Sequence, residues 1–469
     1  MPHFDLLILG TGSGNSILTR EFEGWNVAIV ERAAFGGTCL NAGCIPSKML
    51  VLPADRMVEA VEASERLGVH ISPQGADWPA IRDRVFSRID PIAESGRRYR
   101  MGQEHVTVFE GDARFVGKRT LRIAGHDGSE VEVTADRIVL AAGASPRLPD
   151  LPGLESVPFH TSDTVMRLDA LPEHMVILGG GFIAAEMGHV FSALGSKVSV
   201  VHRGDRMLRH EDHEVSARFS EVFCERVDLY FDSHATQVRS EGGRITVDFD
   251  QQAGPDGPQF GLRGSSVTGD VLLVTTGRDP NSAQLDVEAT GVDVDHRGYV
   301  VTDETLATTA EGIWALGDIR NPLQLKHLAN QEARVVSHNL LHPDDPMRID
   351  QRVVPHAVFS NPQVGSVGHT EDELRAAGVT YLVGRRDYAG VAYGWALEDT
   401  SGFAKVLLDP STKKLLGGHV IGPQASTLVQ QLAQAMTFEI PADRLAHEQI
   451  WCHPALPEVL ENALLDALH

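Results

Sequence analysis

The apolar positions of this chain fall into short runs with two different rhythms. Near the start, FDLLILG is apolar almost without interruption, the pattern of a strand covered on both faces in a parallel sheet. A glycine-rich turn follows, then a predicted helix through GNSILTREF and a second buried run, NVAIVE. The same order recurs after residue 174, where MVILGGG leads into FIAAEMGHVFSALG and then KVSVVH. A strand, glycine turn, helix and strand are thus predicted twice, which makes the chain α/β with two Rossmann-like dinucleotide-binding domains.

Breakers and charge crowd LHPDDPMRID at 341 to 350, and beyond it strands (FAKVLLD, LLGGHVIG) alternate with helix (ASTLVQQLAQAM). A C-terminal α+β domain is therefore predicted for 350–469. Inside the second domain, the glycine-rich stretch 251 to 269 reads as a loop extending a surface hairpin. The pattern shows no coiled coil and no low-complexity tail.

Composition narrows the class without naming it. The 469 residues are 42% hydrophobic and 22% charged, an ordinary globular mixture with length enough for several cores. Sixty-four acidic against 41 basic residues leave a net charge of -23, which repels a phosphate backbone, so no nucleic-acid partner is expected. No apolar run reaches membrane length and no basic region precedes the first strand, so we expect a cytoplasmic protein without a membrane partner. In a reducing compartment, a close cysteine pair points to metal binding or redox chemistry rather than to a lasting structural bridge.

In the first turn Gly10 permits the tight bend and Gly12 lets a pyrophosphate approach the backbone, while Glu31, ending the next strand, suits a ribose hydroxyl. Asn15 replaces the third glycine of the usual fingerprint, which predicts looser packing of helix on strand. In the second turn Gly179, Gly181 and Ala184 take the same roles. Its second strand, however, ends in His202 and Arg203, where an NAD site carries an acid. Arg203, Arg206 and Arg209 would place guanidinium groups beside an adenosine 2'-phosphate, so NADPH is preferred over NADH. The alternative is that these arginines only solvate the loop HRGDRMLRHED.

Two of the four cysteines, Cys39 and Cys44, lie in GGTCLNAGCIPSK at 36 to 48. Zinc needs about four nitrogen or sulfur ligands, and with Cys224 and Cys452 standing alone no metal site is predicted. A bridge between Cys39 and Cys44 would face roughly 8.7 Å between Cα atoms in a regular helix, beyond bonding reach. The segment is therefore predicted not to be helical throughout, with Gly36, Gly37, Gly43 and Pro46 supplying a distorted loop that enters a helix.

These residues resemble the FAD-dependent pyridine nucleotide disulfide oxidoreductases, and the likeness covers nearly the whole chain. GGTCLNAGCIPSK is similar to the family's redox-active disulfide segment, and AAGASPRLP at 141 to 149 and TTGRDPN at 275 to 281 to its domain-joining turns. ALGD at 315 to 318 resembles its second flavin motif, and HPALPE its histidine–glutamate segment, with Ala455 and Pro457 where threonine and serine are common.

The resemblance implies an FAD domain over 1–150 and 280–349, an NADPH domain over 151–279 and a dimerisation domain over 350–469. It implies cofactor contacts at Gly14, Gly37, Thr38, Gly143, Gly277, Gly317 and Asp318 besides those above. NADPH would pass a hydride to FAD, electrons would reach the Cys39–Cys44 disulfide through Cys44, and Cys39 would exchange with substrate. His453, oriented by Glu458, would serve as acid and base in a homodimer whose active sites are shared between subunits. Lys48 and Glu186 match a pair beside the flavin, and Phe182 stands where a tyrosine covers the nicotinamide pocket.

SDTVMRL, LKHLANQEARVV and VAYGWALEDTSG resemble the mycothione reductase branch, which implies the disulfide of a sugar thiol as substrate. A dihydrolipoamide dehydrogenase or a glutathione-reductase-like enzyme is the alternative within the class, and a flavin-containing redox sensor the alternative from another. Cys224 reads as a buried small hydrophobe and Cys452 as a packing residue, with chemistry the alternative for Cys452 because it precedes His453.

Overall fold

The computed structural model describes residues 1–252 and 261–469. The chain divides into two compact units: Met1–Ser47, Arg82–Arg147 and Gly277–Asp350 form the first, and Lys48–Ile81, Leu148–Thr276 and Gln351–His469 the second.

In the first unit the strand His3–Leu9 is central, parallel to Val27–Glu31 on one side and to Glu130–Leu140 on the other. Its uninterrupted apolar run is explained by cover on both faces. Leu6 and Ile8 pack with Phe22, Val335 and Leu340, while Leu7 and Leu9 pack with Phe115, Leu121 and Ile123. The strand Val106–Gly117 has two partners within one six-stranded sheet: Val106–Glu110 pairs in parallel with Val27–Glu31, and Gly111–Gly117 pairs antiparallel with Thr120–Gly125.

The helix predicted after the first turn does not form. Gly14–Ser16 and Arg20–Phe22 are single 3-10 turns. The carbonyls a helix would use are taken by side chains instead: buried Arg100 donates to Asn15 O at 2.7 Å and Leu18 O at 3.4 Å, and Ser337 Oγ to Ile17 O at 2.8 Å.

In the second unit a parallel sheet runs in the order Val271–Val274, His174–Leu178, Lys197–Val201, Asp228–Tyr230. Here the predicted helix is present as Phe182–Leu194, ended by Gly195 at φ +116°. An antiparallel sheet of Ser233–Glu241, Arg244–Gln251 and Ser266–Gly269 lies beside it in sequence. The loop expected over 251 to 269 is thereby corrected at its end, because Ser266–Gly269 pairs with Ile245–Asp248; residues 253 to 260 of it lie outside the described residues.

The C-terminal segment forms a five-stranded antiparallel sheet in the order His356–Val358, Val364–Gly368, Leu415–Ile421, Phe403–Leu408, Leu382–Asp387. Helices Ala425–Thr437 and Glu458–Leu468 bury Leu428, Leu432, Leu460 and Leu464 in a core with Val406, Leu408 and Val420 of that sheet. No helix among the described residues is long and apolar enough to cross a membrane.

Candidate active site

The cysteine segment starts at Gly36, at φ +97°, and forms a short helix, Gly37–Asn41, before breaking at Ala42. A second helix, Cys44–Arg66, begins on the second cysteine. Cys39 and Cys44 thus belong to different helices, Cys39 half-buried and Cys44 exposed. Gly43 is required at the break, because a Cβ there would lie 2.9 Å from Thr38 O, the carbonyl that accepts from Ala42 N. Pro46 falls in the first turn of the second helix, where its missing N–H has no intrahelical use.

The same segment closes one wall of a glycine cradle. A Cβ on Gly37 would lie 2.7 Å from Gly12 Cα, and one on Gly10, at φ +101°, 2.4 Å from Ala141 O. Gly14 faces Ala141 Cβ and Ile8, so it takes the close-packing role that the sequence pattern assigns to position 15. Glu31 is buried and accepts from Thr11 N at 2.8 Å, Thr11 Oγ1 at 2.5 Å and Ala33 N at 2.9 Å. Thr11 Oγ1 in turn accepts from Gly36 N at 3.1 Å, tying the first turn to the segment that carries exposed Thr38 and the cysteines. Thr11 is a site residue that the glycine spacing does not reveal.

The two joining turns meet in a short ladder, Ala144–Pro146 with Arg278–Pro280. Gly143, at φ +67°, accepts from Asn281 N, and Gly277, at φ +127°, from Arg147 N. In the second flavin motif Gly317, at φ +74°, donates its N–H to Glu332 at 2.6 Å, and fully buried Glu332 also holds Arg320 at 2.5 Å and Asn321 at 3.0 Å. Asp318 rides on that turn. Burial pushes its carboxyl up, and no described residue donates a hydrogen bond to it. A desolvated carboxylate lacking a protein donor suits a polyhydroxyl chain such as the ribityl of FAD, and the close-packed Gly10, Gly12 and Gly37 suit its pyrophosphate, so the residues present fit this cofactor. Glu332 was missed by sequence reading, because the helix Lys326–Leu341 that carries it has many other polar residues and nothing in its pattern singles this one out.

In the second unit the structure brings Lys48 and Glu186 together, with Nζ 2.6 and 2.7 Å from the two carboxylate oxygens. Glu186 is buried and accepts Phe359 N at 3.1 Å, and the ammonium lies 4.7 Å from the Phe359 ring centre. Half-exposed Phe182 opens the helix that carries Glu186.

The second glycine turn is tighter than its spacing implies. A Cβ at Gly179 would lie 2.5 Å from Thr275 O, and one at Gly180 2.6 Å from the His202 ring, while Gly181 is open and Ala184 is buried. Burial, with the charges of Arg209 and Arg203, pushes His202 down to about 4, so the positive charge of this site rests on the exposed Arg203 and Arg209. Arg206 is mostly covered and pairs with Asp205 at 2.8 Å.

At the C-terminus His453 Nδ1 lies 2.8 Å from Glu458 Oε1, and the other carboxylate oxygen accepts Ala455 N at 3.1 Å. The hydrogen bond from His453 holds the Glu458 carboxyl below its ordinary range. With Nδ1–H committed to Glu458, Nε2 of the exposed imidazole presents its lone pair outward.

The other cysteines depart from expectation. Cys224 caps the helix His213–Phe223 half-exposed, its thiol donating to Glu221 O at 3.0 Å, because Phe219 and Phe223 occupy the buried side. Burial and the nearby Glu225 and Glu221 push that thiol up. Cys452 is exposed in the chain and packs in no core.

Residues 4–333 match the family model of pyridine nucleotide-disulphide oxidoreductases, and residues 354–464 match that family's dimerisation domain. The chain belongs to this family. Its cofactors are FAD and NAD(P)H, and it is a flavoprotein disulfide reductase. The chain is 44% identical to mycothione reductase of Mycobacterium tuberculosis over 99% of both chains, and 32% identical to dihydrolipoyl dehydrogenase of Chlorobaculum parvum over 99% of this chain and 97% of that one. Among solved structures it is similar to the HOCl-induced flavoprotein disulfide reductase RclA of Escherichia coli, with TM-score 0.85, 26% identity and 99% of each chain covered.

Proposed function

We propose that this protein is a cytoplasmic, NADPH-dependent homodimeric reductase of a low-molecular-weight disulfide, and that the disulfide is mycothione. The observation that carries the catalytic reading is the His453–Glu458 hydrogen bond at 2.8 Å. A protein that only senses redox state has no use for an oriented acid–base pair.

Bound FAD supplies a two-electron relay between the nicotinamide and the cysteine pair; Gly10, Gly12, Gly37, Glu31, Gly317 and Asp318 would hold it. The remaining chemistry belongs to the chain. The Cys39 thiolate attacks one sulfur of the substrate disulfide, and the imidazolium of His453, contributed by the second subunit, gives its proton to the departing thiolate. The Cys44 thiol then gives its proton to the now neutral His453 and attacks Cys39, which re-forms the Cys39–Cys44 bond and displaces the second thiolate. His453 passes it that proton, releasing the second thiol. Glu458 fixes the imidazole tautomer throughout, and Lys48, ion-paired with Glu186, would offer a positive charge to the flavin.

The substrate assignment is supported by the full-length likeness to mycothione reductase, and the coenzyme assignment by Arg203 and Arg209. Steady-state NADPH oxidation against mycothione, lipoamide and glutathione disulfide in parallel tests both. Preference for mycothione by at least about ten-fold in kcat/KM is expected; preference for lipoamide with NADH would favour the dihydrolipoyl dehydrogenase alternative, and stoichiometric oxidation without turnover would favour the sensor.

A further inference from the structure

The loop that carries Arg203, Arg206 and Arg209 runs directly into three acids, Glu211, Asp212 and Glu214. A charge run in a loop ordinarily faces water. Here Glu211 and Asp212 are buried, and most of their partners come from the C-terminal sheet and the segments beside it.

Glu211 is held by His356 Nε2 at 2.8 Å and Ser366 Oγ at 2.6 Å. Asp212 accepts from Lys405 Nζ at 3.0 and 3.2 Å and from Glu371 N at 3.2 Å, while its side chain also caps the helix His213–Phe223 through Glu214 N at 3.1 Å. Lys405 is buried in the strand Phe403–Leu408 and donates further to Glu214 at 2.7 Å and Glu371 at 2.6 Å. Buried charges with this many partners tolerate little displacement, because any shift strands a desolvated group.

Upstream, the loop is fixed to its own domain. Leu208 N donates to Gly180 O at 2.8 Å, Met207 N to Ser220 Oγ at 2.9 Å, and Asp232 N to Gly204 O at 2.9 Å. Arg209 lies between these anchors and the Glu211–Asp212 clamp, its stem against Gly204, its Nε 3.5 Å from the exposed Asp205 carboxylate and its side chain 53% exposed. An exposed guanidinium on a backbone pinned from both sides presents a fixed donor to solvent, as recognition of an anion requires.

We propose that His356, Ser366 and Lys405 are positioning residues for coenzyme selection: through Glu211 and Asp212 they hold Arg209 for the 2'-phosphate of NADPH. The inference rests on the NADPH reading above. It gives the C-terminal domain a part in nucleotide specificity besides dimerisation.

The test is steady-state kinetics of the FAD-loaded dimer with NADPH and NADH, for Ser366→Ala, His356→Gln and, as a control, Arg209→Ala. Ser366→Ala and His356→Gln are expected to raise KM for NADPH about three- to ten-fold. KM for NADH and kcat with either coenzyme are expected to stay within two-fold. A merely structural role would lower Tm and active fraction and move both coenzymes equally, which would overturn the proposal. If Arg209→Ala shifts the ratio of the two KM values but Ser366→Ala and His356→Gln do not, the clamp is refuted and the NADPH reading survives. If Arg209→Ala leaves the ratio unchanged, both fall.

Discussion

At the residue scale the chemistry concentrates in a few side chains whose partners define them. His453 has one ring nitrogen committed to Glu458 and the other exposed, so removing the imidazole takes away the proton donor for the departing thiolate. His453→Ala is expected to slow the disulfide half-reaction by about a hundred-fold or more. Reduction of the oxidised enzyme by NADPH, followed anaerobically by stopped flow, is expected to stay nearly unchanged; equal slowing of both half-reactions would contradict the assigned role. This pair was legible in the sequence because its members stand five residues apart in one motif, and Lys48 and Glu186 because each sits in its own recognisable segment. Glu332 was not legible. Its partners are a backbone N–H, a guanidinium and an amide 11 to 15 residues away, and only the fold puts them together.

At the element scale, turns rather than regular structure decide what the site holds. The Gly317 turn is fixed by Glu332, and Asp318 has its place only while that turn holds. Glu332→Gln is expected to weaken FAD retention by about ten-fold or more, read as flavin per chain after dialysis; full retention would show that the turn stands without its anchor. The failure of the first predicted helix has the same origin. Arg100, 82 to 85 residues away, takes the carbonyls of Asn15 and Leu18, and local pattern carries no trace of it. The helix Phe182–Leu194 formed as expected because buried Ala184 and Gly188 allow it to lie close to Ile177 of its sheet and to Phe223.

The Glu211–His356 contact makes a pH prediction at this scale. Burial alone would raise Glu211, but the hydrogen bond from His356 holds it below its ordinary 4.5. Burial alone would lower His356, but Glu211 raises it above 6.5. The lowered acid stabilises the fold above its unfolded value, and the raised histidine stabilises it below its own. The difference in urea midpoint between the native protein and His356→Gln is therefore expected to be widest between about pH 4.5 and 6.5. It should shrink as pH rises through the raised histidine value or falls through the lowered acid value; a difference independent of pH would contradict the assignment.

At the scale of the whole molecule, the duplicated strand–turn–helix pattern was readable because buried parallel strands are apolar throughout, and the C-terminal domain because the breakers and charge of 341 to 350 precede a new alternation of strands and helices, although its strands Phe403–Leu408 and Leu415–Ile421 are themselves almost wholly buried. The cluster around Lys405 was unreadable, since its four charged members come from three separate stretches of chain. The chain carries its family's dimerisation domain, and the proposed mechanism draws the cysteines and His453 of each site from different subunits. Equal amounts of inactive Cys39→Ser and His453→Ala chains, unfolded and refolded together, should then recover about a quarter of native activity, because half the dimers are mixed and each mixed dimer has one complete site of two. No recovery above either parent would mean that each subunit works alone.

The central claim is that Cys39 and Cys44 exchange two electrons between coenzyme and substrate. Its most direct measurement is a thiol count on the denatured protein, taken before and after anaerobic reduction with NADPH. Reduction should expose two further sulfhydryls per chain in the native protein and none in Cys44→Ser, together with loss of turnover in that variant by at least about a thousand-fold. An unchanged count on reduction, or a Cys44→Ser enzyme that still turns over mycothione, would contradict the account.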